Sequence, residues 1–486
     1  MKPTRLVKSK ILCTLGPSSR TEAEIGALYE QGMDMVRINF SHGSPEEKRE
    51  LFATVKAVDP NLAILCDIQG PKIRIGEVKA GGALLRRGTQ FTLTTEEVMG
   101  DETKATISYK PFPAEVKTGE RVFINDGIVC LEVLQIKGKE VVCKVLSGGT
   151  IFTRKGVNLP TTKLSLRVPT EKDIVDLKLI AELDPAYLAA SFVGTADDVE
   201  TIRHILASYG NDRIKLISKI ERPIAVDNFE EILAASDGIM VARGDLGVEL
   251  PAEQVPPIQK EMIRRCNIAG KPIIVATQML ESMTKAPIAT RAEVSDVYNA
   301  IADGADCVML SAETASGEFP TEAVFTMERI IMVSEDHLAQ RNPDWYDSKE
   351  DTVSEVIGHL THQTCKQLIE RGNGAAGKII CLTRSGHTAR MVSKYRPPFP
   401  ILALTPDARA AQEMKLLWGV APFHMPELAE SAQTLSRIHT AIQACYDRGF
   451  LTPTEKVIVV GDFFNLPSQT NMVSILTVGD VLGLEE

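Results

Sequence analysis

Apolar residues along the chain gather into short continuous runs, separated by stretches in which they recur every three or four positions. Eight runs predict strands buried on both faces: 10–14, 35–40, 63–68, 187–192, 214–220, 238–243, 272–277 and 307–312. The stretches between them carry helix-start signals. Thr21 and Glu24, ahead of Ile25 and Leu28, have the spacing of a capping box. Eight alternating units predict an α/β fold, a (β/α)8 TIM barrel, rather than an open sheet.

One interval breaks the alternation. Between residues 71 and 170 short alternating strands and turn signals take over: Asn125-Asp126-Gly127, Lys137-Gly138-Lys139 and Ser147-Gly148-Gly149. This predicts an all-β domain inserted after the third barrel strand. A segment near Arg341–Thr352, rich in Asn, Pro, Asp and Ser, reads as a linker. Beyond it, runs at 378–382, 401–405, 456–460 and 474–478 predict a separate C-terminal α/β domain. The expected division is 1–70 with 171–340 for the barrel, 71–170 for the insert and 341–486 for the last domain. Gly372-x-Gly374-x-x-Gly377 has dinucleotide-fingerprint spacing, but the strand follows the glycines instead of preceding them, so a loop is expected.

Composition narrows the function classes. A formal net charge of −10 over 486 residues argues against a nucleic-acid partner held through phosphate neutralisation. No apolar run is long enough to cross a bilayer, and the first residues lack the apolar core of a signal peptide, so no membrane partner and a cytoplasmic location are expected. Nine cysteines stand singly with no Cys-x-x-Cys pair, which suggests neither a zinc site nor a disulfide framework.

Candidate chemistry collects where the strands end. Arg37, Asn39, Ser41, Asp67, Ser191, Lys219, Glu221, Arg243, Asp245, Thr277 and Glu313 lie at or just past the ends of seven predicted strands. In a β/α barrel that is the mouth, where catalytic groups meet. Glu221 and Asp245 are two hard carboxylates suited to Mg2+, although salt bridges to Arg243 or Lys219 would engage them equally well. Lys219 sits two residues before Glu221, so strand alternation puts both on one face, where a lysine needs an anionic partner. Gly244-Asp245-Leu246-Gly247 reads as a glycine-bracketed turn, either an anion nest or simply a tight bend.

These residues stand within longer motifs. Met35-Val36-Arg37-Ile38-Asn39-Phe40-Ser41-His42-Gly43, Ile217-Ser218-Lys219-Ile220-Glu221, Met240–Gly247, Ala276–Met283, Thr290-Arg291-Ala292-Glu293 and Leu310–Ala315 occur in order along the chain. Their sequences resemble those of the pyruvate kinase family over nearly the whole length. The resemblance implies phosphoryl transfer from phosphoenolpyruvate to ADP, giving pyruvate and ATP. It implies that Arg37 and Lys219 neutralise the transferring group, and that Glu221 and Asp245 hold Mg2+ (or Mn2+). Gly244, Asp245 and Thr277 would seat the substrate carboxylate, with Thr277 helping to relay a proton. Arg74, Lys155, His42 and Pro17 would face the nucleotide, and the inserted domain would act as a lid.

The resemblance also implies a homotetramer and an effector site for a phosphorylated metabolite at Thr383, Ser385, Gly386 and Thr388, although the partner loop Gly461–Asn471 is atypical. Many relatives bind K+ through positions matching Asn39, Ser41 and Asp67. Their next ligand is a Thr where this chain has Ile68, and their Gly-Pro-Glu is Gly70-Pro71-Lys72 here. The expectation is that the Lys72 ammonium supplies the charge and K+ is not required. Two other classes compete: a barrel lyase acting on a pyruvate enolate, and a non-catalytic phosphometabolite sensor. The first needs neither the lid nor Lys219 and Lys155; the second would have lost part of the Lys219, Glu221, Asp245 and Thr277 set, all of which are present.

Overall fold

Eight parallel strands close into a barrel in the order of the chain: Lys10–Thr14, Met35–Asn39, Ala63–Asp67, Tyr187–Ala190, Lys215–Ile220, Gly238–Ala242, Ile273–Ala276 and Cys307–Leu310. The structure is a computed structural model and describes residues 7–162, 164–341, 352–371, 377–429, 434–462 and 470–484. Six of the eight predicted strands run one or two residues past the observed C-terminal ends. The reason is backbone geometry. Phe192 (φ 61°) and Thr277 (φ 70°) turn left-handed after strands four and seven, which ends the ladder and bends the chain into the mouth.

Side chains alternate strictly along the strands. One set, including Leu12, Met35, Leu65, Tyr187, Ile217, Met240, Ile274 and Met309, fills the barrel interior. The other, including Ile11, Val36, Ile64, Leu188, Leu216, Ile239 and Val308, packs against the surrounding helices. Helix starts follow the expected chemistry. Thr21 accepts from the Glu24 N–H at 3.3 Å while the Glu24 carboxylate accepts from the Thr21 N–H at 2.9 Å. The same reciprocal box recurs at Ser44, Thr170, Thr195, Thr290 and Thr352.

Between barrel strands three and four the chain forms a six-stranded sheet, a two-stranded pair and their own apolar core, which includes Phe91, Leu93, Leu131, Val133 and Val145. The root of this domain is pinned to the barrel: the Gly70 N–H donates to the Asp173 carboxylate at 3.1 Å. Gly70 is left-handed (φ 65°), and a Cβ there would lie 2.9 Å from the Ser191 carbonyl oxygen and the Phe192 ring.

The C-terminal domain is a five-stranded sheet flanked by helices. Strands Lys378–Leu382 and Ile401–Thr405 match expectation. Val420–His424 is an additional edge strand that the apolar pattern does not announce, because Pro422 interrupts it; proline is tolerated at a sheet edge. This domain closes the barrel end opposite the mouth. Leu416 packs into the interior cluster, and the Lys10 ammonium donates to the Val420 carbonyl at 2.8 Å. Arg396, buried over Trp418, donates to Asn267 at 2.7 Å and to the Gly304 carbonyl at 2.8 Å. Most of the predicted linker, residues 372–376 of the glycine-rich loop and residues 463–469 of the loop expected to partner the effector site lie outside the described residues. Among the described residues, no helix is long and apolar enough to cross a membrane.

Candidate active site

At the barrel mouth, beneath the inserted domain, lies a cavity of about 310 Å3. Six cationic side chains line it (Arg37, Lys72, Arg74, Arg154, Lys155 and Lys219) against four acidic ones, Asp67, Asp126, Glu221 and Asp245. A net positive cleft in a chain of charge −10 is built for an anion.

Lys219 stands at its centre. Its ammonium lies 2.6 Å from the Ser191 hydroxyl, 2.9 Å from a Glu221 oxygen and 3.4 Å from Asp67. Burial alone would depress the lysine; Asp67 and Glu221 outweigh it and hold its pKa above the ordinary value, so it carries its charge. Asp67 also receives Arg37 at 2.7 Å, and Arg37 in turn donates to the Thr14 hydroxyl at 3.0 Å. Burial pushes the Asp67 carboxyl up, but Lys219 and Arg37 overcome that and leave it below its usual range. Strands one, two, three and five thus present two fixed cations on one buried carboxylate.

Glu221 is almost fully buried, with one oxygen on Lys219 and the other accepting from the Phe192 N–H at 2.7 Å. Burial raises its pKa; Lys219 opposes this, and the nearby Asp245 charge adds to it. Asp245 pairs with Lys72 at 2.8 Å, not with Arg243. Among the described residues, no cluster of three or more His, Cys, Asp or Glu could hold a metal ion. Two mutually repelling carboxylates facing an anion cavity nevertheless fit Mg2+, which takes one or two carboxylates and leaves its other positions to water and phosphate oxygens. They suit it better than a metal that needs a full protein cage.

Several residues sit differently from the sequence reading. Arg243–Glu249 is a short helix rather than a glycine-bracketed turn. The Gly244 N–H, expected to face an anion, donates to the Thr277 hydroxyl at 2.8 Å, and Gly244 lines a neighbouring cavity with Gln278. Arg243 turns away from Asp67, Lys219 and Glu221: it pairs with Asp296 at 2.7 Å and donates to the Thr277 carbonyl at 2.7 Å. Glu313 does not line the cavity either. It is buried and accepts from the Ser311 and Leu280 N–H groups at 2.7 and 3.1 Å, a clamp between two loops.

On the lid side, Arg74 and Lys155 line the cavity, with Arg74 donating to the Arg154 carbonyl at 3.1 Å. His42 lines it from the barrel rim, its pKa lowered by partial burial and by Arg74 and Lys48. Pro17 is exposed on the turn after strand one and lines neither cavity. Asp126 and Arg154 reach the cavity from the lid and escaped the sequence reading. Both stand at left-handed turn positions (φ 53° and 60°), and no sequence pattern marks them as cavity residues.

Comparison with known proteins identifies this architecture. Residues 6–324 match the family described as "Pyruvate kinase, barrel domain", and residues 362–476 match "Pyruvate kinase, alpha/beta domain". A pyruvate kinase of Clostridium acetobutylicum is 40% identical over 483 residues, covering 97% of this chain and 99% of that protein. One from Clostridium perfringens is 42% identical, covering 85% and 88% of the two chains. One from Geobacillus stearothermophilus is 39% identical, covering 98% and 81%. The chain belongs to the pyruvate kinase family.

This family member is therefore a phosphotransferase, and its site carries two particular features. Asn39, Ser41, Asp67 and Ile68, the positions where the resemblance led a monovalent cation to be expected, line the same cavity as Lys72. The Asn39 side-chain oxygen already accepts from the Ser41 N–H at 2.9 Å. In the C-terminal domain, Thr383 and Thr388 are buried, Ser385 is exposed, and Gly386 is left-handed (φ 79°) at the start of helix His387–Lys394. The Thr388 hydroxyl bonds that of Thr470 at 2.8 Å.

Proposed function

We propose that this pyruvate kinase family member transfers the phosphoryl group of phosphoenolpyruvate to ADP at the barrel mouth, in the cytoplasm, and that the enolate left behind takes up a proton, yielding pyruvate and ATP. The observation that carries this reading is the Lys219 ammonium, held between Asp67, Glu221 and Ser191 inside a cationic cleft. Loose phosphoryl transfer needs little covalent help, so preorganised positive charge is the main contribution a protein can make. Arg37 and Lys219 supply it without reorganising, because Asp67 already fixes both.

Glu221 and Asp245 would hold Mg2+ or Mn2+. Bound there, the cation would neutralise charge on the phosphoryl group and polarise the oxygen to which it is attached. Thr277, Gly244 and Asp245 would seat the substrate carboxylate, which must then compete with the Thr277 hydroxyl for the Gly244 N–H. Arg74 and Lys155, with His42, would meet the nucleotide phosphates as the lid closes; Pro17 lies farther out. The reaction does not require K+. Lys72 brings an ammonium to the cavity that Asn39, Ser41 and Asp67 share, and Ile68 offers no side-chain oxygen. A homotetramer is supported by apolar side chains exposed on helix Val353–Glu370 (Val353, Val356 and Leu360). A phosphorylated effector at Thr383, Ser385, Gly386 and Thr388 is supported by the left-handed turn into the helix, although the Thr388–Thr470 bond must open to free that hydroxyl.

The test is pyruvate formation by the purified chain from phosphoenolpyruvate and ADP with Mg2+, with equimolar ATP expected. Pyruvate formed without ADP would favour a lyase or phosphatase. Binding of phosphoenolpyruvate without turnover would favour a sensor.

A further inference from the structure

The two carboxylates assigned to the metal each carry an ammonium, and the two ammonium groups are not alike. Lys219 projects from a barrel strand and is held by Asp67 and Ser191 as well as Glu221. Among the described residues, Lys72 and Asp245 form a hydrogen-bonded ion pair in which each is the other's one side-chain hydrogen-bond partner. Both Lys72 and Asp245 are about a quarter exposed (27% and 24%), so water can reach the pair. The backbone that carries Lys72 is fixed to the barrel. Its N–H donates to the Gly70 carbonyl at 2.9 Å, and Gly70 is tied to Asp173. The lysine is therefore aimed into the mouth, while its long stem leaves the ammonium free to swing.

A divalent ion bonds a carboxylate oxygen at about 2.0–2.1 Å. Lys72 sits 2.8 Å from Asp245 Oδ1, and a divalent ion on either oxygen of that carboxylate would lie close enough to the ammonium for the two cations to repel strongly. We infer that Lys72 is an exchangeable counter-ion that competes with the divalent metal for Asp245 and passes to the substrate phosphoryl group when displaced. The cavity that holds the pair also holds Arg37 and Lys219, so the displaced ammonium stays within the space the phosphoryl group would enter. Metal and phosphorylated substrate then promote each other's binding, because each removes the other's competitor. The coupling is reciprocal by linkage, and 5- to 150-fold is its ordinary range. The inference rests on the assignment of Glu221 and Asp245 as metal ligands.

Free Mn2+ counted by electron paramagnetic resonance, with and without phosphoenolpyruvate, tests it on the whole chain. In the parent protein Mn2+ should bind weakly alone and tighten with substrate. Lys72→Met should bind Mn2+ alone about 10-fold more tightly, with a smaller tightening by substrate. Lys72→Arg, which keeps the charge, should resemble the parent and shows that the effect is not one of misfolding. Unchanged Mn2+ affinity in Lys72→Met, with binding abolished in Asp245→Asn, overturns the exchange and leaves the metal assignment standing. Full Mn2+ binding in Asp245→Asn overturns the assignment, and the exchange falls with it.

Discussion

Replacing Lys219 with Met keeps the stem volume and removes the charge at the centre of the site. Two quantities should change, and the geometry sets their size. Asp67 keeps Arg37 at 2.7 Å, so it stays paired. Glu221 loses its one ion-pair partner among the described residues and keeps only the Phe192 N–H. Stranding one buried carboxylate costs about 3–5 kcal/mol of stability at neutral pH. The forces left on Glu221, burial and the Asp245 charge, both disfavour ionisation, so its pKa climbs further above the unfolded value. A carboxyl with a raised folded pKa takes up a proton on folding. The stability deficit should therefore be absent below about pH 4, where Glu221 is protonated in both states, and should grow as pH rises through the folded pKa. Urea unfolding at a series of pH values measures it. Turnover should fall about 10²- to 10³-fold, the usual loss for one preorganised electrostatic contact, or about 2.7–4 kcal/mol of barrier. Continuous coupled assay of pyruvate release gives that number, and Mn2+ binding should persist. Turnover within about threefold of the parent in a folded Lys219→Met protein would refute the role assigned to Lys219.

Three further outcomes are expected. Arg243→Met frees the left-handed Thr277 turn that the guanidinium holds, so kcat should drop about 10- to 100-fold with little change in KM for ADP; an unchanged kcat would show the turn holds itself. Activity in tetramethylammonium buffer should equal that in K+ at matched ionic strength, and Lys72→Glu should weaken activity without K+ and regain part of it when K+ is added; a strong K+ requirement in the parent would sink the charge-replacement reading. Ser385→Ala with Thr388→Ala should abolish activation by any phosphorylated metabolite that activates the parent; activation that survives places the effector elsewhere.

The barrel was legible because parallel strands buried on both faces are continuous apolar runs, and eight of them with helical spacers admit few other closures. The mouth was legible because charged residues stood at the ends of those runs. Their direction was not. Arg243 resembles Lys219 in the sequence, but a helix begins at Arg243, which sends its side chain to Asp296 rather than into the cavity. Glu313 looked like a mouth carboxylate and proved to be a backbone clamp, because the N–H groups it satisfies come partly from a loop about 30 residues away. Asp126 and Arg154 could not be found from pattern, since their reach depends on how the lid sits over the barrel. The reaction itself came from family resemblance; periodicity and spacing lead only to a cationic, carboxylate-bearing mouth.

The central claim is that the Lys219, Glu221 and Asp245 cluster moves a phosphoryl group from an enol phosphate to a nucleoside diphosphate. A single-turnover quench with 32P-labelled phosphoenolpyruvate, ADP and Mg2+ tests it most directly. The label should appear in the terminal phosphate of ATP with the parent protein. It should remain in phosphoenolpyruvate with Glu221→Gln and with Asp245→Asn. Label released as inorganic phosphate by the parent, or delivered to ATP at the parent rate by both variants, would contradict the account.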